Sequence, residues 1–156
     1  MNIFYLDKDP IKSAKYHCDQ HCVKMIIEYA QIMSTTHRVL DGDKNDKLYR
    51  KTHMNYPSTV WCRQSSGNYK YLYTLFCALC DEFTKRYGKI HLTDKKLRAI
   101  LKTPPQNIPK GDFFEPPCAM PEEYIVKSTV QSYRNFYLKD KVRFAKWKNG
   151  KPKWFK

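Results

Sequence analysis

Acidic residues are scarce in this sequence: 15 Asp and Glu stand against 29 Lys and Arg, which gives a formal net charge of +14. A neutral ligand gains nothing from a positive field of this size. A polyanion gains both affinity and encounter rate from it. The composition therefore favours a nucleic acid as the partner.

The sequence also lacks a long hydrophobic run. No stretch approaches the roughly 18 consecutive apolar residues that a membrane-spanning helix needs, so we expect no membrane association. The first residues, MNIFYLDKDP, lack the basic start and the apolar core of a secretory signal. We therefore expect a cytoplasmic protein, located in the host cytoplasm if a phage encodes it, whose 6 cysteines are free thiols.

Internal repeats and interdomain linkers are absent, and 156 residues suffice for one domain with its own core. Apolar residues make up 42% and aromatic residues 15%, which argues against intrinsic disorder. Apolar periodicity predicts helices over residues 11–37, with a kink or break near Tyr16, and over 58–64, 68–87, 95–101 and 122–138. Prolines concentrated in residues 103–121 predict a long loop. We expect an all-α, compact single-domain helical bundle (residues 1–156) with a long proline-rich loop and a basic aromatic C-terminal tail.

One stripe of the first predicted helix is polar, although the rest of that helix is apolar. At about 100° per residue, this stripe consists of His17, His21, Lys24, Glu28, Gln31 and Thr35. A helix that is apolar on most sides is expected to be buried. The stripe is therefore predicted to face a cleft or an internal polar network, and a solvated face is the alternative.

Metal binding has to be weighed for His17 and His21, because histidines at i and i+4 can chelate one ion. The glutamate of the H-E-x-x-H motif is missing, and Cys18 and Cys22 point about 100° away from the histidines. A third ligand would have to come from one of the remaining histidines. We therefore expect neither a metal nor a cofactor, and we interpret both histidines as part of a polar network or a substrate site.

Glu28 lies on the stripe between Lys24 and Gln31 and is bordered by apolar residues. An apolar surround raises the pKa of a carboxyl group and a neighbouring lysine lowers it. Either outcome suits acid–base chemistry or the stabilisation of a cation. The alternative is an ordinary i, i+4 ion pair with Lys24, worth roughly 0.2–0.5 kcal/mol.

The C-terminal segment alternates cations with aromatic rings. Cations bind phosphates, and rings stack on bases or wedge beside them. The alternative is a segment whose rings pack on the core and whose lysines only solubilise it. The predicted nucleic-acid contacts are Arg134, Lys139, Lys141, Arg143, Lys146, Trp147, Lys148 and Lys151.

Short motifs along the chain together resemble one enzyme family. They are Asp19-Gln20-His21 followed by Ile27-Glu28-Tyr29-Ala30-Gln31, Tyr49-Arg50 with His53 and Pro57, Leu72 and Glu82 before Arg86-Tyr87-Gly88, and the basic aromatic C-terminus. In this combination the sequence is similar to the pyrimidine-dimer DNA glycosylases of phages and bacteria, the small all-helical endonuclease V type of repair enzyme. The His-Pro pair of that family is replaced here by Tyr56-Pro57.

The resemblance implies a DNA glycosylase with AP lyase activity that acts on double-stranded DNA. The family uses a backbone amine at its N-terminus as nucleophile and a glutamate on an early helix, which implies Glu28. Because Asn2 is bulky, we expect Met1 to be retained and its amine, with a reference pKa near 7.7–8.0, to be the nucleophile. The predicted catalytic residues are Met1, His21, Lys24 and Glu28. The predicted substrate-binding residues are His17, Gln31, His53, Asn55 and Arg63.

Two other functions stay open. One is a non-catalytic, basic nucleic-acid-binding accessory protein of a phage, in which the polar stripe is only a satisfied network. The other is an enzyme that processes free nucleotides. The buried polar stripe favours an enzyme, because a protein that only binds DNA does not need it. We expect a monomer that recognises a damaged or modified base.

Overall fold

Six α-helices provide the regular structure in a computed structural model that describes all 156 residues. The helices are α1 (Pro10–Tyr16), α2 (Asp19–Asp41), α3 (Pro57–Cys62), α4 (Ser66–Tyr87), α5 (Leu92–Leu101) and α6 (Thr129–Phe136). A 3-10 turn (Glu122–Tyr124) precedes α6, and a π-helical turn (Tyr137–Lys141) follows it. The chain has no strands, so the predicted all-α class is confirmed. None of the helices combines the length and apolar character that crossing a membrane requires.

The first predicted helix is two helices, and the break lies where the sequence predicted it. Asp9 caps α1 by accepting a hydrogen bond from the Ile11 N–H, and Tyr16 is its last residue. His17 and Cys18 are then extended, with ψ of 127° and 165°. As a consequence, His17 does not share the axis of α2.

The core forms where α4 packs against α1 and α2, and α3 and α5 each pack against both α2 and α4. The N-terminal residues 3–6 run through this core in an extended conformation and are at most 3% exposed. Cys80, inside α4, is buried as a free thiol, as expected for a packing residue. Gly88 ends α4 in the left-handed conformation, with φ of 68°, as predicted for a C-terminal glycine.

The proline-rich loop lies against the start of α4. The Gly67 N–H donates to the Gly111 carbonyl, and a Cβ on Gly67 would overlap the backbone of Asp112 and Phe113. The Phe113 ring packs against Tyr71, with centroids 4.7 Å apart. The predicted proline-rich loop is therefore a packed part of the fold.

The last predicted helix, over 122–138, is wrong in its first half. Residues 125–128 are not helical, and α6 begins only at Thr129, after Ser128 has accepted a hydrogen bond from the Gln131 N–H. The Ser132 hydroxyl accepts from the Val126 N–H and holds the preceding segment in its extended path. Hydroxyl side chains commonly start helices in this way.

Candidate active site

A cleft of about 390 Å³ opens where the N-terminus, one face of α2 and the loop before α3 meet. We call it the Glu28 cleft. Its lining consists of Met1, Lys24, Ile27, Glu28, Gln31, His53 and Tyr56. Larger cavities of about 620 and 770 Å³ lie along α4 and α5, but residue 1 lines neither of them. Among these three, only the Glu28 cleft has both the N-terminal residue and a helix glutamate in its lining.

Four residues of α2 line the cleft because their spacing places them on one helix face. They are Lys24, Ile27, Glu28 and Gln31, at positions i, i+3, i+4 and i+7. The Lys24 Nζ lies 3.7 Å from the Glu28 Oε2, with the lysine side chain 66% exposed and the glutamate side chain 18% exposed. An ion pair this long and wet contributes little to stability. The pair therefore exists, but it does not account for a glutamate that faces the N-terminus.

The α-amine of Met1 is electrostatically coupled to both charged residues of α2. Burial lowers its pKa below the ordinary value of 8.0, the negative charge of Glu28 raises it, and the positive charge of Lys24 lowers it. Burial is the largest of these effects. A lowered pKa increases the unprotonated, nucleophilic fraction of an amine at neutral pH.

A buried chain of hydrogen bonds holds the N-terminal segment in place. The Phe4 N–H donates to the Tyr29 hydroxyl oxygen at 3.1 Å, and this hydroxyl donates to the His17 Nε2 at 2.7 Å. The His17 Nδ1 donates in turn to the Ser13 carbonyl at 2.7 Å. This assignment satisfies each group and requires a neutral ring, which agrees with burial lowering the pKa of His17 to about 4. We call this chain the Tyr29 anchor.

His21 supports the same segment through its ring. It stacks on Phe4, with centroids 4.2 Å apart and planes 24° apart, and its Nδ1 accepts from the Tyr137 hydroxyl at 2.6 Å. Burial lowers the pKa of His21 to about 3. His17 is fully buried and His21 is 6% exposed, and neither lines the cleft. Of the two predicted alternatives, a cleft or an internal polar network, the structure places both histidines in the buried network and outside the lining of the Glu28 cleft.

The loop before α3 is fastened to α2 beside the cleft. Thr35 Oγ1 accepts from the Thr52 N–H at 3.1 Å and donates to the Thr52 carbonyl at 3.3 Å. Thr35, the last residue of the predicted stripe, is thus buried in a structural contact. His53, which follows Thr52 in the chain, lines the cleft. Its Nδ1 lies 2.7 Å from the Thr52 hydroxyl oxygen.

Two other predicted substrate-binding residues of this region are not part of the cleft lining. Arg63 Nη1 donates to the Met54 carbonyl at 2.6 Å and so supports the loop backbone. Asn55 is exposed in the same loop. Of the predicted substrate-binding residues, the structure brings Gln31 and His53 to the cleft, whereas it places His17, Asn55 and Arg63 outside it.

Sequence reasoning missed two residues of the cleft lining. Ile27 lies one position before Glu28, and its spacing from Lys24 could have included it. Tyr56 carried a weaker signal, as the aromatic residue directly before Pro57. Both are large hydrophobic residues that remain exposed to solvent, Ile27 by 38% and Tyr56 by 46%. They give the cleft an apolar part beside its charges.

The predicted nucleic-acid contacts of the tail divide into packed and exposed side chains. Arg134 donates to the Leu6 carbonyl at 2.9 Å and to Asp7 at 3.2 Å, and its guanidinium lies 5.2 Å from the Trp154 ring centre. The Trp147 Nε1 donates to the Tyr16 carbonyl at 2.9 Å. These contacts hold the tail against the core and leave Arg134 and Trp147 only partly exposed, and their contact with nucleic acid stays a prediction.

Most of the other tail cations point to solvent. Lys141 pairs with Asp140 at 3.1 Å and lies over the Phe136 ring at 4.4 Å, and it is partly buried. Among the predicted contacts, the exposed cations without an ion pair are Lys139, Arg143, Lys146, Lys148 and Lys151. The rings of the tail therefore pack on the core, as the second alternative predicted, and contact of its exposed lysines with nucleic acid stays a prediction.

The His, Cys, Asp and Glu side chains nowhere form a group of three or more that could hold a metal ion. The sequence model of the pyrimidine dimer DNA glycosylase family matches residues 1–96. This range contains every residue that lines the Glu28 cleft. Comparison with curated proteins and with solved structures finds no match.

Proposed function

Because the chain belongs to the pyrimidine dimer DNA glycosylase family, we propose that it removes a damaged or modified base from double-stranded DNA in the Glu28 cleft. Its α-amine at Met1 is the nucleophile, and Glu28 is the catalytic carboxylate. The observation that carries this proposal is that Met1 and Glu28 line one cleft, where the negative charge of Glu28 raises the pKa of the Met1 amine.

The chemistry follows from the two groups. The amine nitrogen forms a bond to the sugar C1′ while the bond from C1′ to the base breaks, and the base leaves with that electron pair and takes up a proton. Loss of the amine proton and opening of the sugar ring then give a cationic imine between Met1 and the sugar. Glu28 stabilises the positive charge and moves protons between these atoms. In the AP lyase step Glu28 takes a proton from C2′ of the imine, the bond from C3′ to the phosphate oxygen breaks, and the 3′ phosphate leaves with that electron pair.

Binding of the substrate draws on the rest of the surface. Access to C1′ requires a base that has left the stack and a bent duplex. The net charge of +14 and the exposed tail lysines favour the close approach of phosphates. Lys24, which is 66% exposed at the cleft, adds a cation beside the reacting groups.

The Glu28→Gln variant tests the proposal. It keeps the shape of the side chain and removes the charge, so turnover on ultraviolet-irradiated duplex DNA should fall at least about a hundredfold while DNA affinity persists. The variant also separates two causes of a loss. Because the charge of Glu28 raises the pKa of the Met1 amine, its removal increases the free amine, and a loss of turnover cannot come from protonation of the nucleophile.

The matched control is Glu122→Gln, which removes an exposed carboxylate outside the cleft and should leave turnover unchanged. Urea unfolding of both variants checks that they fold. Full activity of Glu28→Gln would reduce Glu28 to an ion-pair partner of Lys24 and would overturn the catalytic role.

A further inference from the structure

An aromatic pair stands at the mouth of the Glu28 cleft and has no role in the chemistry described above. The ring centroids of His53 and Tyr56 are 4.8 Å apart, and the ring planes meet at 51°. Both residues are exposed and line the cleft, and the Tyr56 side chain is 46% exposed. A large ring in this position leaves apolar surface in water that a ligand could cover.

The backbone that carries the pair is strained. His53 has φ of +46° and is the only residue other than glycine with a positive φ in the chain. This region is unfavourable for a residue with a side chain, and such strain concentrates at ligand sites, where surrounding contacts hold it. Here the Tyr56 N–H donates to the His53 carbonyl at 3.0 Å and Thr52 is fastened to Thr35, so the turn is held on both sides.

The Tyr56 ring is not needed to form the fold. Tyr56 precedes α3 at its N-cap position, but its side chain makes no capping hydrogen bond. The backbone carbonyl of Tyr56 accepts from the Val60 N–H, and any residue can supply that contact. Ile27 and Met54, which are 38% and 36% exposed, extend the same apolar surface.

From this geometry we infer that His53 and Tyr56 form a stacking platform for one unpaired nucleobase of the bound DNA. The inference rests on the proposed function, because it takes DNA as the ligand. Every base has a π-face that can cover an exposed ring, whereas Lys24, on the same cleft, can bind the phosphate beside that base. The platform binds a base and takes no part in breaking a bond.

The test compares the affinities of protein variants for two DNA probes that differ only in one base. One probe is a short duplex with a single unpaired adenine, and the second is the same duplex with a stable abasic residue in its place. Tyr56→Ala should weaken binding of the first probe by about 5- to 150-fold and leave binding of the second unchanged. Tyr56→Phe, which keeps the ring, should bind both as the wild type does. Ile11→Ala, an exposed apolar residue outside the cleft, is the matched control.

An equal loss of affinity for both probes, or no loss, would overturn the platform. His53→Gly gives a second, opposite readout, because glycine tolerates the positive φ. The variant should raise the melting temperature of the protein and weaken its binding of the probe with the unpaired adenine. A lower melting temperature would show that the His53 ring stabilises the fold, which would contradict its role as part of the platform. Binding of either probe requires no catalysis, so this test is independent of the catalytic role of Glu28. If the binding results hold while Glu28→Gln remains fully active, only the catalytic proposal fails.

Discussion

Removing one oxygen atom from the Tyr29 anchor should separate the placement of the N-terminus from DNA binding. In the Tyr29→Phe variant the ring still fills its site in the core, where Tyr29 is fully buried. The Phe4 N–H loses its acceptor, and the His17 Nε2 loses its donor. Both groups remain buried without another partner.

The expected cost follows from those two groups. Each buried polar group that loses its partner costs about 1–3 kcal/mol, so the free energy of unfolding should fall by about 2–6 kcal/mol. Met1 lies three residues before Phe4, so a loosened segment also displaces the α-amine from Glu28. Turnover should therefore drop even under conditions where the variant is fully folded, while affinity for DNA through the exposed lysines is retained.

Urea unfolding and single-turnover cleavage of irradiated DNA measure the two effects. The chain offers a matched control in Tyr71, whose buried hydroxyl has no hydrogen-bond partner in the protein. Tyr71→Phe should be neutral or slightly stabilising, because it removes a polar atom that gains nothing from burial. The reasoning is refuted if Tyr29→Phe costs no more than Tyr71→Phe, or if it leaves turnover intact.

Two further predictions concern pH and salt. Burial lowers the pKa of His17 to about 4 and that of His21 to about 3, from 6.5. The stability that depends on the neutral rings is therefore complete above pH 6.5 and is lost as pH falls toward those values. The free energy of unfolding measured in urea should drop by about 4 kcal/mol between pH 7 and pH 5. A flat profile over that range would contradict the neutral, buried histidines. For the salt test, one variant replaces four tail lysines by alanine: Lys146, Lys148, Lys151 and Lys153. For this variant, the slope of the logarithm of the DNA-binding constant against the logarithm of salt concentration should become shallower by about 3–4. The control variant removes the same charge by replacing Lys44, Lys47, Lys95 and Lys96 with alanine. An unchanged slope in the tail variant would show that the tail does not contact phosphates.

Local sequence patterns predicted much of the helical frame. The spacing of apolar residues predicted α4, which ends at Gly88, and the predicted kink or break near Tyr16 is the boundary between α1 and α2. The same periodicity placed Lys24, Glu28 and Gln31 on one face, and all three line the cleft. These features depend on residues within a few turns of each other, so a helical period is sufficient to find them.

Long-range contacts explain what the sequence could not show. His17 looked like a member of the stripe until the break turned it toward Tyr29, and nothing local reveals that contact. The tail presents the same difficulty, since Trp147 bonds to the carbonyl of Tyr16 and Arg134 to that of Leu6, over 100 residues away. The alternation of aromatic and cationic residues in the sequence does not indicate which aromatic rings pack into the core.

The central claim is that the α-amine of Met1 forms a covalent bond with the sugar, and borohydride trapping on abasic duplex DNA tests it most directly. Reduction fixes the imine, so the protein with a native N-terminus should give a covalent protein–DNA band. A form extended by an uncleavable Gly-Ser tag should bind the same DNA and give no band, because the added residues carry the amine away from Glu28. Equal trapping by the extended form would contradict the account and would move the nucleophile to a lysine, with Lys24 the first to be replaced.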